Sequence, residues 1–441
     1  MVRRKKSFIS HLQFTEFRQP IPDNRSLATD SRFPIPRMTI TVHEHQETRL
    51  ANQQISSQQG TALWQRYGSY VAVVGPSLTT NNQWVLKPQG WVGSIVVDAE
   101  LCVMLQPKTP VANIFGMLGY AYQLNSFLLF DGAATFATID EIFQQLATIF
   151  AKRVIHRARL GLHRQYLERD QQSVAIRGRI DLPENWRAPH RHPPTSRFQE
   201  RTADCKDNQI IAFTLQTLAR HRLGQDASGA VRTALHRFAG GLTPTPFHPS
   251  DCTNRHYTRL NQDYQLLHAL CRFFLEHSGP THQLGDRTML PFLVNMGRLF
   301  ELFVAQWLLA HLPAQYRLAT QERVVVDAAG AFPIVLDMVI YNATSGQPLL
   351  LLDTKYKIAD SPSPDDLQQV VAYSVARGCP NAVLIYPTQL PRPFNGEYGQ
   401  SQVAIRTVAF DIATDIEEGG RRLMEELMRM LRSGAAIPNS P

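Results

Sequence analysis

The reading of this 441-residue chain turns on one stretch, PIVLDMVIYNATSGQPLLLLDTKYK, residues 333–357. Two apolar runs flank NATSGQ, a string of turn-forming residues, so the stretch reads as a β-hairpin. Both runs carry charge where a buried strand should carry none. Asp337 interrupts a strand that is apolar on both faces, and Asp353, Lys355 and Lys357 follow four leucines without leaving the strand pattern. Burying an unpaired carboxylate or ammonium costs roughly several kcal/mol or more. Breaks of this kind in local sequence logic are where function is often found.

Side chains alternate along a strand, so Leu349, Leu351, Asp353 and Lys355 share one face. Folding the hairpin about its turn pairs Tyr341 with residue 348 or 349, which sets Asp337 opposite residue 352 or 353. In the second register the two Asp side chains point to the same face about 5 Å apart. Opposed carboxylates repel, and a divalent cation offsets the repulsion. Mg²⁺ prefers a few carboxylate oxygens completed by water and substrate phosphate. Lys355, one pleat further, would orient or deprotonate a water beside it. Such a site suits in-line attack of water on a phosphodiester. Glu301, one element upstream, adds a further carboxylate. The plainer alternatives are an edge-strand charge pair for D-x-K and a helical pair of Glu301 with Arg298. The isolated Asp337 tips the balance toward a metal site.

Outward from the hairpin, the last third alternates regularly. NMGRLFELFVAQWLLAHL is a helix with Met296, Leu299, Phe300, Phe303 and Trp307 on its apolar face. RVVVD, PIVLDMVIY and PLLLLDTKY read as strands, DDLQQVVAYSVAR as a helix, and NAVLIYP and QVAIRTVAF as strands. The amphipathic helix DIEEGGRRLMEELMRMLR follows. This α-β-β-β-α-β series implies a mixed sheet flanked by helices. Helical periodicity dominates upstream to about residue 278, with EIFQQLATIFAKRVIHRARLGLHRQYL as one long helix and ENWRAPHRHPPTSRF as a loop. Short β-rich runs such as SYVAVVG and GSIVVDA fill the region from about Ile55 to Pro107. The first forty or so residues are polar and aperiodic, as in a mobile arm. The expected fold class is α+β multidomain: a basic tail (1–45), a β-rich domain (46–110), a helical middle domain (111–288) and a C-terminal α/β core with a mixed sheet (289–441).

Bulk composition agrees with an ordinary globular chain, at 44% hydrophobic and 19% charged. No apolar run approaches bilayer length, and His11 and Gln13 interrupt any signal-like core after the basic start. The five cysteines are scattered without a CxxC pair, so a reduced, cytoplasmic chain is expected. A net charge of +8 favours a polyanionic partner without specifying chemistry.

The series Glu301, Asp337, Asp353-Thr-Lys355 over helix, strand and hairpin resembles the PD-(D/E)xK nuclease core. More narrowly, the ordered segments GWVGSIVV, MLQPKTPVANIFGMLGYAY, VAIRGRIDL, FQERTADCKDNQIIAFTL, RLNQDY, NMGRLFELFV, LLLLDTKYK, QQVVAYS and LIYP resemble McrC, the endonuclease subunit of the methylcytosine-dependent restriction system McrBC. The resemblance runs from about Trp91 onward. It implies that Asp337, Asp353 and Glu301 hold Mg²⁺, that Lys355 is the motif lysine, and that Gln369, four residues before Tyr373, contacts DNA or steadies the site. The family pattern carries Pro before the first Asp, where Leu336 stands here; that proline contributes backbone shape rather than a ligand. The implied partners are methylated foreign DNA and a hexameric McrB-like AAA+ GTPase, with no membrane. By the same resemblance the β-rich domain at 46–110 and the helical region would dock on that ring, and the nuclease domain at 289–441 would cut DNA. No GxxxxGK[ST] phosphate loop occurs in the sequence. Two alternatives stay open: a nuclease serving another partner or none, and a non-catalytic adaptor that stimulates an AAA+ ring.

Three further features read as structural. The Arg- and His-rich span from Lys152 to Lys206 is either a phosphate track or a solvated face bridged to Glu168, Asp170 and Asp181, with the second favoured. His248, Cys252 and His256 lie at four-residue intervals, but Pro249 breaks the helix a zinc site would need. Arg259, Asn261 and Tyr264 in RLNQDY read as structural bonds.

Overall fold

Two small sheets open the chain because its apolar positions alternate in short runs cut by Gly, Pro and Asn. Strands β1 (Met38–His43), β2 (Thr48–Leu50), β3 (Val71–Val74), β4 (Trp84–Pro88), β5 (Trp91–Val96) and β6 (Leu101–Gln106) frame helix α1 (Ser57–Tyr67). The helix begins at a capping box in which Ser56 and Gln59 satisfy each other's backbone N–H groups. Residues 38–432 are described in this computed structural model, apart from 99, 125–137, 188–192, 222, 280–281, 285–286, 290, 326–332 and 400–402. The first 37 residues of the expected tail lie outside that set. Its last part does not behave as a tail: β1 pairs in parallel with β6, from Met38 against Leu101 to His43 against Gln106. Ile40 and Val42 are buried by that pairing. Its partner lies about sixty residues away, so no local hairpin signal marks it.

Helices α2 (Val111–Ala121), α3 (Ile139–Leu160), α4 (Leu182–Arg187), α5 (Lys206–Leu218), α6 (Gln225–Phe238) and α7 (Asp263–Glu276) form the middle region. The long helix expected through residue 167 stops at Leu160. Gly161 follows at φ +93°, a conformation glycine adopts without the steric cost other residues bear. The residues beyond form β7 (Gln165–Gln172), which joins β8 (Arg179–Ile180) and β9 (Thr195–Thr202) in an antiparallel sheet of order β7-β9-β8. The stretch expected as a loop therefore begins in α4 and ends in β9.

A short hairpin, β10 (His282–Leu284) with β11 (Arg287–Met289), leads to β12 (Phe292–Asn295). This last strand pairs with β5, giving the N-terminal sheet the order β1-β6-β5-β12. The segment assigned to the start of the C-terminal core thus completes the N-terminal sheet. Beyond it come α8 (Met296–His311), β13 (Tyr316–Val325), β14 (Pro333–Asn342), β15 (Pro348–Thr354), α9 (Pro364–Arg377), β16 (Asn381–Tyr386), β17 (Asn395–Glu397), β18 (Ala404–Ala409) and α10 (Ile416–Arg432). The strands form one mixed sheet of order β13-β14-β15-β16-β18-β17, antiparallel at the hairpin and parallel from β15 through β18. One face packs Met338, Ile340, Leu350 and Leu352 with Phe300 and Phe303 of α8 and Leu423 of α10. The other packs Val339, Tyr341, Leu351 and Leu384 with Val370 of α9. The two-layer requirement of a sheet is met on both sides. The chain is an α+β protein with a mixed C-terminal sheet.

Candidate active site

The hairpin register is built from a bulge. Tyr341 faces Pro348, but Ile340 faces Leu350, so Leu349 is the extra residue. Beyond it Met338 faces Leu352, the last pair of the ladder, and Asp337 and Asp353 are the next residues on their two strands. The two registers open at the sequence level therefore occur one after the other. Asp337 is turned toward the following pleat: its Oδ2 accepts the backbone N–H and the hydroxyl of Thr354, each at 3.1 Å.

Asp353 is 2% exposed, and no neutral donor is seen on its buried Oδ2 among the described residues. The Lys355 ammonium lies 2.7 Å from that oxygen as an ion pair. Burial pushes the Asp353 carboxyl up to about 6; Lys355 opposes the rise and the charge of Asp337 adds to it. Lys355 is fixed from two sides. Its backbone N–H donates to Ile385 O at 2.9 Å, and Nζ donates to Gln369 Oε1 at 2.7 Å. Gln369 in turn donates from Nε2 to the Tyr373 hydroxyl at 2.8 Å, one turn along α9. That helix is set by Ser363, whose hydroxyl accepts the Asp366 N–H, with Pro364 in the first turn. Lys357 pins the same turn through Asp366, at 2.8 and 3.1 Å.

Glu301 comes from α8, which Asn295 caps by accepting the Arg298 N–H at 2.9 Å. Its Oε1 accepts from Arg298 Nη1 at 2.7 Å and from Gln321 Nε2. Burial raises the Glu301 pKa, and the neighbouring charge of Asp337 raises it further. The helical pair with Arg298 thus exists, and Glu301 also faces Asp337. The five residues singled out in the sequence come together on three adjoining elements and the helix behind them.

Among the described residues no three His, Cys, Asp or Glu side chains converge as a ready metal cage. The donor set fits a different kind of centre. Two hard-oxygen carboxylates sit on neighbouring strands, and one keeps a buried oxygen paired with an ammonium. A hard cation that takes one or two carboxylates and completes its shell with water and phosphate matches that set. Sequence reasoning missed Thr354 and Gln321. The only signal for the second is the polar step Thr320-Gln321-Glu322 inside an otherwise β-like run.

The structural readings elsewhere can be compared directly. Arg197 on β9 bridges Asp170 and Asp181 at 2.9 Å and Glu168 at 3.6 Å. Asn261 accepts the Thr258 N–H at 2.7 Å, and the Tyr264 hydroxyl donates to Asn208 Oδ1 at 2.6 Å. Arg259 differs: it is exposed and lines a groove of about 780 Å³ with Arg255, Arg272 and Tyr122. His248 caps a short 3-10 turn rather than facing Cys252 as a ligand partner. All five cysteines are free and buried.

Fold and site together define an α+β chain whose mixed sheet carries an acid–acid–lysine hairpin. A family model described as "McrBC 5-methylcytosine restriction system component" matches residues 86–387, well over half of the sequence. The chain belongs to that family. Its fold is shared with a chain from a tetradecameric assembly of Thermococcus gammatolerans McrB AAA+ hexamers with bound McrC, at TM-score 0.51 and 18% identity over 88% of this chain and 100% of that one. A second T. gammatolerans McrBC complex structure matches at TM-score 0.39 and 21% identity over 63% of this chain and 88% of the other. No curated protein matches. Among the described residues no helix is long and apolar enough to cross a membrane.

Proposed function

We propose that the chain is the DNA-cleaving, McrC-type subunit of a modification-dependent restriction complex, hydrolysing phosphodiesters with Mg²⁺ when a McrB-like AAA+ GTPase activates it. The observation that carries this reading is the buried Asp353 carboxylate, paired at 2.7 Å with the Lys355 ammonium and raised in proton affinity by the charge of Asp337 on the neighbouring strand. Asp337 and Asp353 would hold the metal, with Glu301 as a third acid. When bound, it supplies positive charge for the phosphoryl oxygens and acidifies a water.

The chain's own groups do the rest. Gln369 and Asp353 fix the Lys355 ammonium, which leaves it positioned to hold a water or a phosphate oxygen at the same point. Thr354 fixes Asp337 by two bonds, so neither acid has to reorganise as a substrate enters. Family membership supports methylcytosine-dependent restriction as the context. The structural neighbour, a chain from an assembly of McrB AAA+ hexamers with bound McrC, supports the GTPase ring as partner.

The test is cleavage of methylated and unmethylated plasmid with Mg²⁺ by the wild-type chain and Asp353→Ala, each alone and with a McrB-like GTPase and GTP. Cutting by the wild type, lost by at least ~100-fold in the variant while GTPase stimulation persists, is the expected result. Equal cutting by both rejects the site. Stimulation without cutting by either makes the chain an adaptor.

A further inference from the structure

The sheet is creased at the level of the first acid. Strands β13 and β14 pair through Thr320–Met338 and Glu322–Leu336, and the ladder skips the pair between, Gln321 and Asp337. Gln321 has φ +52°, a left-handed conformation that costs a side-chain-bearing residue about 1 kcal/mol or more. The crease reverses the faces of both strands. Leu336 and Met338, two residues apart, should lie on one face. Instead Leu336 packs in the cluster beneath α9 and Met338 in the cluster beneath α8. On β13, Leu318 packs on the α8 side and Val324 on the α9 side, again with equal parity and opposite faces. A continuous pleat would have placed position 321 in the ladder. The observed backbone instead sends its amide to Glu301 Oε1.

We propose that Gln321 is a positioning residue for the acid cluster: its strained backbone and its amide together hold Glu301 beside Asp337. This rests on the reading of Asp337 and Asp353 as a metal-binding pair. The residue type suits the task. Asp337 lies close enough for its charge to act on Glu301, and a neutral N–H donor relieves one Glu301 carboxylate oxygen without adding a cation that would compete with a metal. A lysine at 321 would neutralise the cluster, and an aliphatic side chain would leave Glu301 with Arg298 alone. The left-handed backbone gives the position a second signature, because glycine would relax it while deleting the amide.

The test is calorimetric titration of the full-length chain with Mn²⁺ alone, alongside its thermal midpoint, for wild type, Gln321→Gly, Gln321→Asn and Asp353→Ala. Gln321→Gly is expected to melt at or above the wild-type temperature yet bind Mn²⁺ about 10-fold more weakly or worse, the usual effect of losing an outer-shell partner. Gln321→Asn, which keeps an amide and tolerates the left-handed backbone, should recover part of the affinity. Wild-type affinity in Gln321→Gly, with Asp353→Ala impaired, overturns the role of Gln321 and leaves the site standing. A lowered melting temperature in Gln321→Gly also overturns it, because the crease is then required by the fold itself. Unchanged binding in Asp353→Ala, or none in the wild type, overturns the site and this role with it.

Discussion

Asp353 is held where a carboxylate is poorly accommodated: buried, with one ammonium as its close partner and a second acid on the neighbouring strand. Such a placement costs stability, and the proposed chemistry would account for it. Asp353→Asn keeps the shape, removes the buried charge and leaves Lys355 bound to Gln369. In metal-free buffer at neutral pH it should therefore stabilise the chain by roughly 1–2 kcal/mol in urea unfolding while abolishing cleavage. A destabilised Asn variant would mean that the ion pair outweighs the burial. A second position carries a purely structural constraint. Gly93 has φ +131°, and a Cβ there would collide with the carbonyl of Phe292, the first residue of β12. Gly93→Ala should cost about 2 kcal/mol or more and open the β5–β12 pairing, read as faster amide exchange at residues 292–295.

At the scale of elements, α7 leads into a buried histidine that sets an acid limit. His277 is buried against Tyr122, whose hydroxyl lies 2.9 Å from Nε2, and Nδ1 lies 3.2 Å from Leu293 O. Burial lowers its pKa to about 4; Glu276 opposes the shift and Arg272 adds to it. An unfolded histidine titrates near 6.5, so the unfolded state binds more protons between about pH 4 and 6.5. The neutral ring's contribution is complete above pH 6.5 and is lost as pH falls through that window. The denaturation midpoint should drop from pH 7 to pH 5 by an amount that His277→Gln reduces. A parallel drop in both proteins would assign the acid sensitivity elsewhere.

Much of the C-terminal sheet was legible at this scale. The helix at 296–311, the hairpin about NATSGQ and the α9 region each followed from periodicity and turn chemistry, and Asp337, Asp353 and Lys355 followed from charge placed in apolar strands. What stayed hidden has a common cause, because it depends on partners distant in sequence. The β1–β6 and β5–β12 pairings join residues about 60 and 200 positions apart. The end of α3 at Gly161 and the strand in QYLERDQQ were overrun because Leu162 and Leu167 prolong an apparent helical pattern. The crease at Gln321 leaves no local mark beyond the polar step Thr320-Gln321-Glu322, since a left-handed glutamine is a tertiary effect.

In the whole molecule, the strand that carries the site ends against the N-terminal sheets. Tyr356 follows Lys355 directly, and its hydroxyl lies 3.0 Å from Thr109 Oγ1 and donates to Glu44 Oε2 at 3.4 Å. Its ring packs 5.9 Å from that of Phe300, the residue before Glu301. Glu44 is fully buried, and burial raises its pKa. One side chain thus ties the hairpin, the helix behind it and the loops after β1 and β6. Tyr356→Phe should cost about 1 kcal/mol and slow cleavage several-fold with substrate binding unchanged, measured as a split between kcat and KM. An unaltered kcat would make the contact ordinary packing. The central claim, that the hairpin end is a metal-dependent phosphodiesterase centre, is tested most directly by anomalous diffraction at the manganese edge from crystals soaked in Mn²⁺. The account predicts a peak bonded to carboxylate oxygens of both Asp337 and Asp353. A saturated crystal with no peak there, or with its peaks elsewhere, would contradict it.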